Sequence, residues 1–382
     1  MEIYFDNSAT TKPAECVIEK MNEVLYEGWG NPSSLHKIGM KAESYLKKSA
    51  KIIADEIGAA GEEIYFTSGG TESDNLAILG YARANKKRGN HIITTAGEHP
   101  AAAECFEKLK EEGFFVDCLN LDEKGDIDLS EFERLLKKET ILVSIMHVNN
   151  EVGAVYPIEK LKSIMKLKSP YAALHSDAVQ SFGKYEINVK KSGIDMLSMS
   201  AHKIHGPKGV GALYVKKGLI IKPVIYGGHQ QKNLRSGTEN VFAAAGMGEA
   251  ALYMKKMRSM KENEVKKVKE ILYKNIMANV DNVVLNGSES ASSYILNLSF
   301  LGVRSEILLH SLEARNIFVS SGSACASNKP SPSVTLTKMK KTPHEIDSAL
   351  RFSFSVENET EQAVYASQVI KEEVEKIRKH MR

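Results

Sequence analysis

From Pro13 the run PAECVIEKMNEVLYEGWG puts Val17, Ile18, Met21, Val24 and Leu25 on one helical face, with proline near its start and glycine at its end. A second helical pattern covers about Ile38 to Ile57 and stops at Gly58. After it, short apolar runs alternate with helical patterns: EIYF, then a helix after Thr71; HIITT, then AAAECFEKLKEEG; FFVDCLN, then DLSEFERLLKK; and finally ILVSIMHV. The last run is apolar almost throughout, as a strand buried on both faces of a parallel sheet must be. YAALHSD and DMLSMS read as two more strands that continue the sheet toward the opening segment. Strand and helix in alternation predict an α/β domain with a doubly wound, mostly parallel sheet.

Between about 242 and 278 a long helical pattern, without glycine after Gly248, reads as a connector. SSYILNLSF, an apolar-periodic helix at SEILLHSLEARN, and RFSFS follow it, an α+β mixture suited to a smaller second domain. The expected division is a large domain over 13–255 and a small one over 256–382 together with 1–12, although no Pro/Gly/Ser linker marks the boundary.

Composition narrows the class. A chain of 382 residues with 42% hydrophobic and 26% charged residues can bury a large core, and nothing in it reads as disordered. Lys plus Arg total 51 against 48 Asp plus Glu, a formal net charge of +3, which gives no reason to expect direct nucleic-acid binding. The lysine-rich stretch near 255 to 274 reads as a solvated helix face. The N-terminus lacks a basic segment followed by an apolar one, and no run approaches the about 18 apolar residues of a membrane span, so a cytoplasmic protein without membrane contact is expected. Cys16, Cys105, Cys118 and Cys325 form no CxxC pair, which argues against a zinc knot or a disulfide framework. Cys105 and Cys118 fall in patterned helix and strand and are expected to pack.

Ligands of an α/β sheet bind beyond the carboxyl ends of its strands, so the loops there carry the chemistry. TSGGTESDN follows EIYF and opens a helix, where Gly69 and Gly70 allow close backbone approach and the helix start offers free N–H groups, a seat for phosphate that is equally an ordinary capped turn. GEHP brings His99 to the same edge, either as a functional or as a structural histidine. Asp177, followed by Gln180, ends YAALHSD as a carboxylate or as a helix cap. Ser200, His202 and Lys203 end DMLSMS. A lysine in such a cleft loses its proton more easily and attacks a carbonyl, and pyridoxal phosphate needs that lysine, a phosphate seat, a carboxylate for its ring nitrogen and a ring to stack on. His202 and His205 lack the further ligands of a metal site, and GPKGVG fits no nucleotide loop. Cys325, among small residues and prolines in SSGSACASNKPSPS, is a candidate nucleophile or an incidental thiol.

With these residues in hand, the chain resembles the cysteine desulfurases of the NifS/IscS type, fold type I pyridoxal phosphate enzymes of the class V aminotransferase group. The resemblance rests on YFDNSATT, GNPSSLH, FTSGGTESDN, EHPA, HVNNEVG, HSDAVQ, SAHKIHGPKGVG, LRSGTEN, SSGSACAS and LRFSFS, all in the family's order. It implies that Lys203 anchors the cofactor and moves the substrate's α-proton, that His99 stacks on the ring, and that Asp177 pairs with the pyridine nitrogen. Asn150 and Gln180 would contact the phenolic oxygen and its surroundings, and Gly70, Thr71, Ser200 and His202 the phosphate. Thr238 would reach a partner's phosphate, which implies a homodimer. Arg351 with Asn31 would take the carboxylate of L-cysteine, and Cys325 would accept its sulfur as a persulfide, leaving L-alanine. The SSGSAC form resembles the long-loop class, which hands sulfur to an acceptor protein such as an iron–sulfur scaffold or a tRNA-thiolation enzyme. A selenocysteine lyase or another enzyme of this fold is the alternative, and a non-catalytic interaction protein a remote one. GGHQQKNLRSGT departs from the family's GGGQERGLRSGT, and the chain ends at EEVEKIRKHMR without the extension that some members use to dock a scaffold.

Overall fold

The computed structural model describes residues 1–322 and 332–380. Strand β1 (Ile3–Tyr4) precedes helices α1 (Glu15–Glu27) and α2 (Lys37–Ile57). The alternation then runs through β2 (Ile64–Thr67), α3 (Gly70–Asn85), β3 (His91–Thr95), α4 (Pro100–Glu111), β4 (Phe115–Leu119), α5 (Leu129–Leu135) and β5 (Thr140–Ser144). It continues with α6 (Ile158–Lys168), β6 (Ala173–Asp177), α7 (Val189–Ser192), β7 (Met196–Ser200) and β8 (Gly211–Val215) to the long α8 (Val241–Asn279). Then come β9 (Val283–Leu285), β10 (Ile295–Phe300), α9 (Ser305–Glu313), β11 (Ile317–Phe318), α10 (Val334–Lys338), α11 (Pro343–Asp347), β12 (Ala349–Ser353) and α12 (Thr360–His380).

Seven strands form the main sheet in the order β2-β8-β7-β6-β5-β3-β4. From β7 to β4 all pairs are parallel, whereas β8 runs antiparallel to both β7 and β2. Adjacent positions on one strand bury to opposite sides. Ile92, Leu142, Met196 and Leu213 join Leu76 of α3 and Phe106 of α4 in one cluster. Ile93, Val143, Leu197 and Ala212 join the larger core, which extends to α1, α2 and α8. This two-sided burial is why these strands read as unbroken apolar runs.

Three features differ from the sequence reading. GALYV forms β8, which takes a place between β2 and β7, so the sheet reaches the EIYF strand only through it. Its return from β7 needs a short loop and no crossover helix, and so it leaves no mark in the strand–helix alternation. A side chain at Gly211 would come within 2.7 Å of the Gly69 backbone, so glycine lets β8 sit under the turn that opens α3. In α1, Val17 and Val24 are buried but Ile18 and Leu25 are exposed, because the core receives only part of the apolar face. Cys105 is buried, whereas Cys118 is exposed, since β4 is an edge strand.

β1 pairs with β11, and β12-β10-β9 form an antiparallel sheet. Residue 255 lies inside α8, which packs on α1, α2 and α12. Among the described residues, no helix is long and apolar enough to cross a membrane.

Candidate active site

A cavity of about 350 Å³ opens at the carboxyl ends of β5, β6 and β7. Gly70 and Thr71 begin α3 at one side of it. A Cβ on Gly70 would lie 2.6 Å from Val179, so the helix start approaches the strand-end loop this closely only with glycine there. His99 is the N-cap of α4, with Pro100 in the first turn, and its Nδ1 accepts the Ala101 N–H at 3.1 Å. That bond leaves Nε2 to carry the proton, and burial, with Lys203 nearby, lowers the ring to about 4, so His99 stays neutral.

Asp177 ends β6, where its Oδ1 accepts the Val179 N–H at 2.8 Å. Burial pushes this carboxyl up to about 6, against the pull of the Val179 N–H and of Lys203. Lys203 closes the short turn after β7, and its Nζ donates to the carbonyls of Ser8 and Ala9 at 2.6 and 2.7 Å. The opening segment is held over this turn, since Thr11 N–H and Oγ1 both donate to the His202 carbonyl and His205 N–H donates to Thr11 Oγ1. His202 is lowered to about 4 by burial and then by Lys203. Gln180 donates to Ser8 O at 3.0 Å and accepts from Lys184 Nζ at 3.4 Å. Burial, then Lys203 and Arg351, lowers Lys184 to about 7.

Arg351 on β12 is buried, donating to Asn150 O at 3.0 Å and to Asp6 Oδ1 at 2.9 Å. The cavity thus gathers Gly70, Thr71, His99, Asn150, Asp177, Gln180, Ser200, His202, Lys203 and Arg351. Asn31 and Thr238 instead line a second cavity of about 350 Å³ with Leu25, Gly28 and Trp29. Cys325 lies outside the described residues.

Other lining residues carry no role in the sequence reading. Ser8 and Ala9 come from the opening segment, Met146 follows β5, and Asp74 projects from α3. Their signal was present only as the DNSATT and TESDN runs, since nothing in spacing says that these reach Lys203. Glu98, beside His99, is buried, and burial pushes it up to about 8 although Thr95 Oγ1 and Met146 N–H donate to its Oε1. The GGHQQKN stretch is tied down locally: Gln231 accepts the Phe66 N–H at 2.9 Å and Gln230 accepts the Gly237 N–H. Arg235 pairs with Glu72 in the first turn of α3 at 2.8 Å, joining the Thr238 loop to the start of that helix.

The residues fit pyridoxal phosphate. Ser200 Oγ and Ser8 Oγ are buried in the cavity wall with no hydrogen-bond partner among the described residues, which suits a polar guest. A neutral histidine, a buried carboxyl and a lysine share the space that such a guest would fill.

Comparisons with known proteins agree. The family model described as "Aminotransferase class-V" matches residues 3–365. A Bacillus subtilis (strain 168) protein named "Putative cysteine desulfurase IscS 1" is 41% identical over 377 residues, 98% of this chain and 99% of that protein. A solved structure titled "NIFS-LIKE PROTEIN" superposes with a TM-score of 0.91 at 35% identity, covering 97% of this chain and 99% of that one. Another, titled "SspA in complex with cysteine", gives a TM-score of 0.82 at 33% identity over 93% and 99%.

Proposed function

The chain belongs to the class-V aminotransferase family, and from this we propose that it is a pyridoxal phosphate-dependent cysteine desulfurase that turns L-cysteine into L-alanine and a persulfide on Cys325. The observation that carries the reading is the convergence of Lys203, His99 and Asp177 from three separate loops on one cavity whose wall holds the unpartnered Ser200 hydroxyl. Relatives named for cysteine desulfuration and a neighbour titled as a cysteine complex support the choice of substrate.

Lys203 would hold the cofactor, with Gly70, Thr71, Ser200 and His202 at its phosphate, His99 over its ring and Asp177 at its ring nitrogen. Bound there, pyridoxal phosphate supplies an electron sink next to the substrate's α-carbon. Lys203 Nζ moves the α-proton. Neutral His99 would pack on the ring without adding charge. Arg351, fixed by Asp6 and Asn150, presents its guanidinium to the cysteine carboxylate. Cys325 Sγ attacks the substrate sulfur as a thiolate; an S–S bond forms, the C–S bond breaks, and its electron pair ends on a carbon that is protonated to alanine.

The working unit of this reading is a homodimer in which Thr238 serves the partner's phosphate seat. Its support is the rim around Thr238, where Leu25 and Trp29 are 47% and 69% exposed. An acceptor protein, an iron–sulfur scaffold or a tRNA-thiolation enzyme, would then take the sulfur in the cytoplasm.

The test is to incubate the purified protein with pyridoxal phosphate and L-cysteine, assay alanine, and weigh the peptide containing Cys325. Alanine with added sulfur on that peptide is expected. A bound-cofactor spectrum without alanine overturns the activity and keeps the cofactor site.

A further inference from the structure

Asp74 is the acidic lining residue of the central cavity that the reaction above leaves without a task. It is 1% exposed, and its Oδ1 has no hydrogen-bond partner among the described residues. Its Oδ1 lies 3.7 Å from His175 Nε2, and that nitrogen lies 2.9 Å from the hydroxyl of Ser198, which also acts on the Asp74 carboxyl, while His175 Nδ1 lies 2.8 Å from Ser144 Oγ. This chain of groups can be polarised in two ways. With a proton on Asp74, the acid donates to Ser198, Ser198 donates to His175 Nε2, and Nδ1–H donates to Ser144. With Asp74 ionised, every arrow reverses.

The surroundings select the first. Asp177 and His175 face Asp74 from β6, Glu98 from the loop after β3, and Cys105 from α4. None of these supplies a positive charge, because burial lowers His175 to about 3. The nearby guanidinium of Arg351 is paired with Asp6. Two adjacent buried carboxylates would repel each other with little water to screen them.

We infer that Asp74 is a positioning residue that holds a proton as a neutral acid and so confines the negative charge of the cavity floor to Asp177. The assignment rests on the reading of the cavity as a pyridoxal phosphate site, where Asp177 faces the ring nitrogen. Burial first, and then the Asp177 charge, raise Asp74 well above the usual carboxylate range against the opposing pull of Ser198, in keeping with it.

The test uses the full chain, with and without cofactor, and the variants Asp74→Asn and Asp74→Ala. Near neutral pH, infrared difference spectra of wild type minus Asp74→Asn should show the loss of a protonated-carboxyl C=O stretch. Pyridoxal phosphate affinity should stay within about twofold in Asp74→Asn, which keeps a neutral hydrogen-bonding group, and should fall about tenfold in Asp74→Ala, which leaves Ser198 and His175 short of a partner. Loss of carboxylate bands in place of the acid band overturns the proposal, as does a loss above about tenfold in Asp74→Asn or wild-type affinity in Asp74→Ala. If Asp74→Ala does not fold, the infrared comparison with Asp74→Asn still decides. Wild type that binds no pyridoxal phosphate would sink the cofactor reading instead, and the apo infrared spectrum would still report where the Asp74 proton sits.

Discussion

The central cavity and the rim that holds Asn31 and Thr238 are built in opposite ways. In the cavity, His99, Asp177 and Lys203 are each held by a backbone group of their own chain, and Arg351 is 2% exposed. At the rim, α1 turns Leu25 outward beside Trp29, so the apolar face predicted for that helix is shared between the core and an open surface. The difference teaches that the groups of the central cavity are oriented within one chain, whereas the rim leaves apolar surface open, which is where the proposed dimer would bring its second chain. Burial of a large aromatic is the main source of affinity at such surfaces.

Four measurements break or sharpen this contrast. The largest effect is expected from Lys203→Ala, which should lower alanine formation by about 10³-fold or more while the protein elutes at the wild-type size. Normal turnover in that variant would remove the cavity from the chemistry. Next, Trp29→Glu should weaken self-association by about 30-fold or more, read by sedimentation, with the fold unchanged by circular dichroism; unchanged association would mean that the rim serves another purpose.

Arg351→Lys should raise KM for cysteine by about tenfold, with a smaller change in kcat, because an ammonium cannot keep both the Asp6 and the carboxylate contacts in one plane. A fall confined to kcat would place Arg351 elsewhere in the reaction. The smallest effect concerns Glu98. Its folded-state value lies above the ordinary one, near 8, so the native state holds a proton that the unfolded chain has released, and this contribution to stability is lost as pH rises from about 4.5 through about 8. Glu98→Gln removes that slope. Thermal melts at about pH 5 and about pH 8 should show wild type losing about 1 kcal/mol or more relative to the variant. Parallel curves would mean that Glu98 is ionised throughout.

The alternating strands, the start of α2 to within a residue, its stop at Gly58, and the long helix at 241–279 were all legible, since two-sided burial and helical periodicity write themselves into local patterns. β8 was not, because a five-residue antiparallel return has neither a crossover helix nor an alternating face to announce it. Among site residues, those next to glycine, proline or a strand end were visible from the loops. Asp74, Glu98, Ser8 and Ala9 were not, as they matter only through what lies across the cavity from them.

What the sequence by itself determined is the set of strand-end loops and the reactive groups they carry, because the order of apolar runs dictates a sheet whose carboxyl edge collects them. What only the tertiary structure decided is their charge state and their grouping. Packing α3, β6 and the opening segment around one cavity buries Asp74 and Asp177 together, holds the histidines neutral, and places Asn31 and Thr238 on a different surface from Lys203. Desolvation and distance set those outcomes, and neither is a property of a residue taken alone.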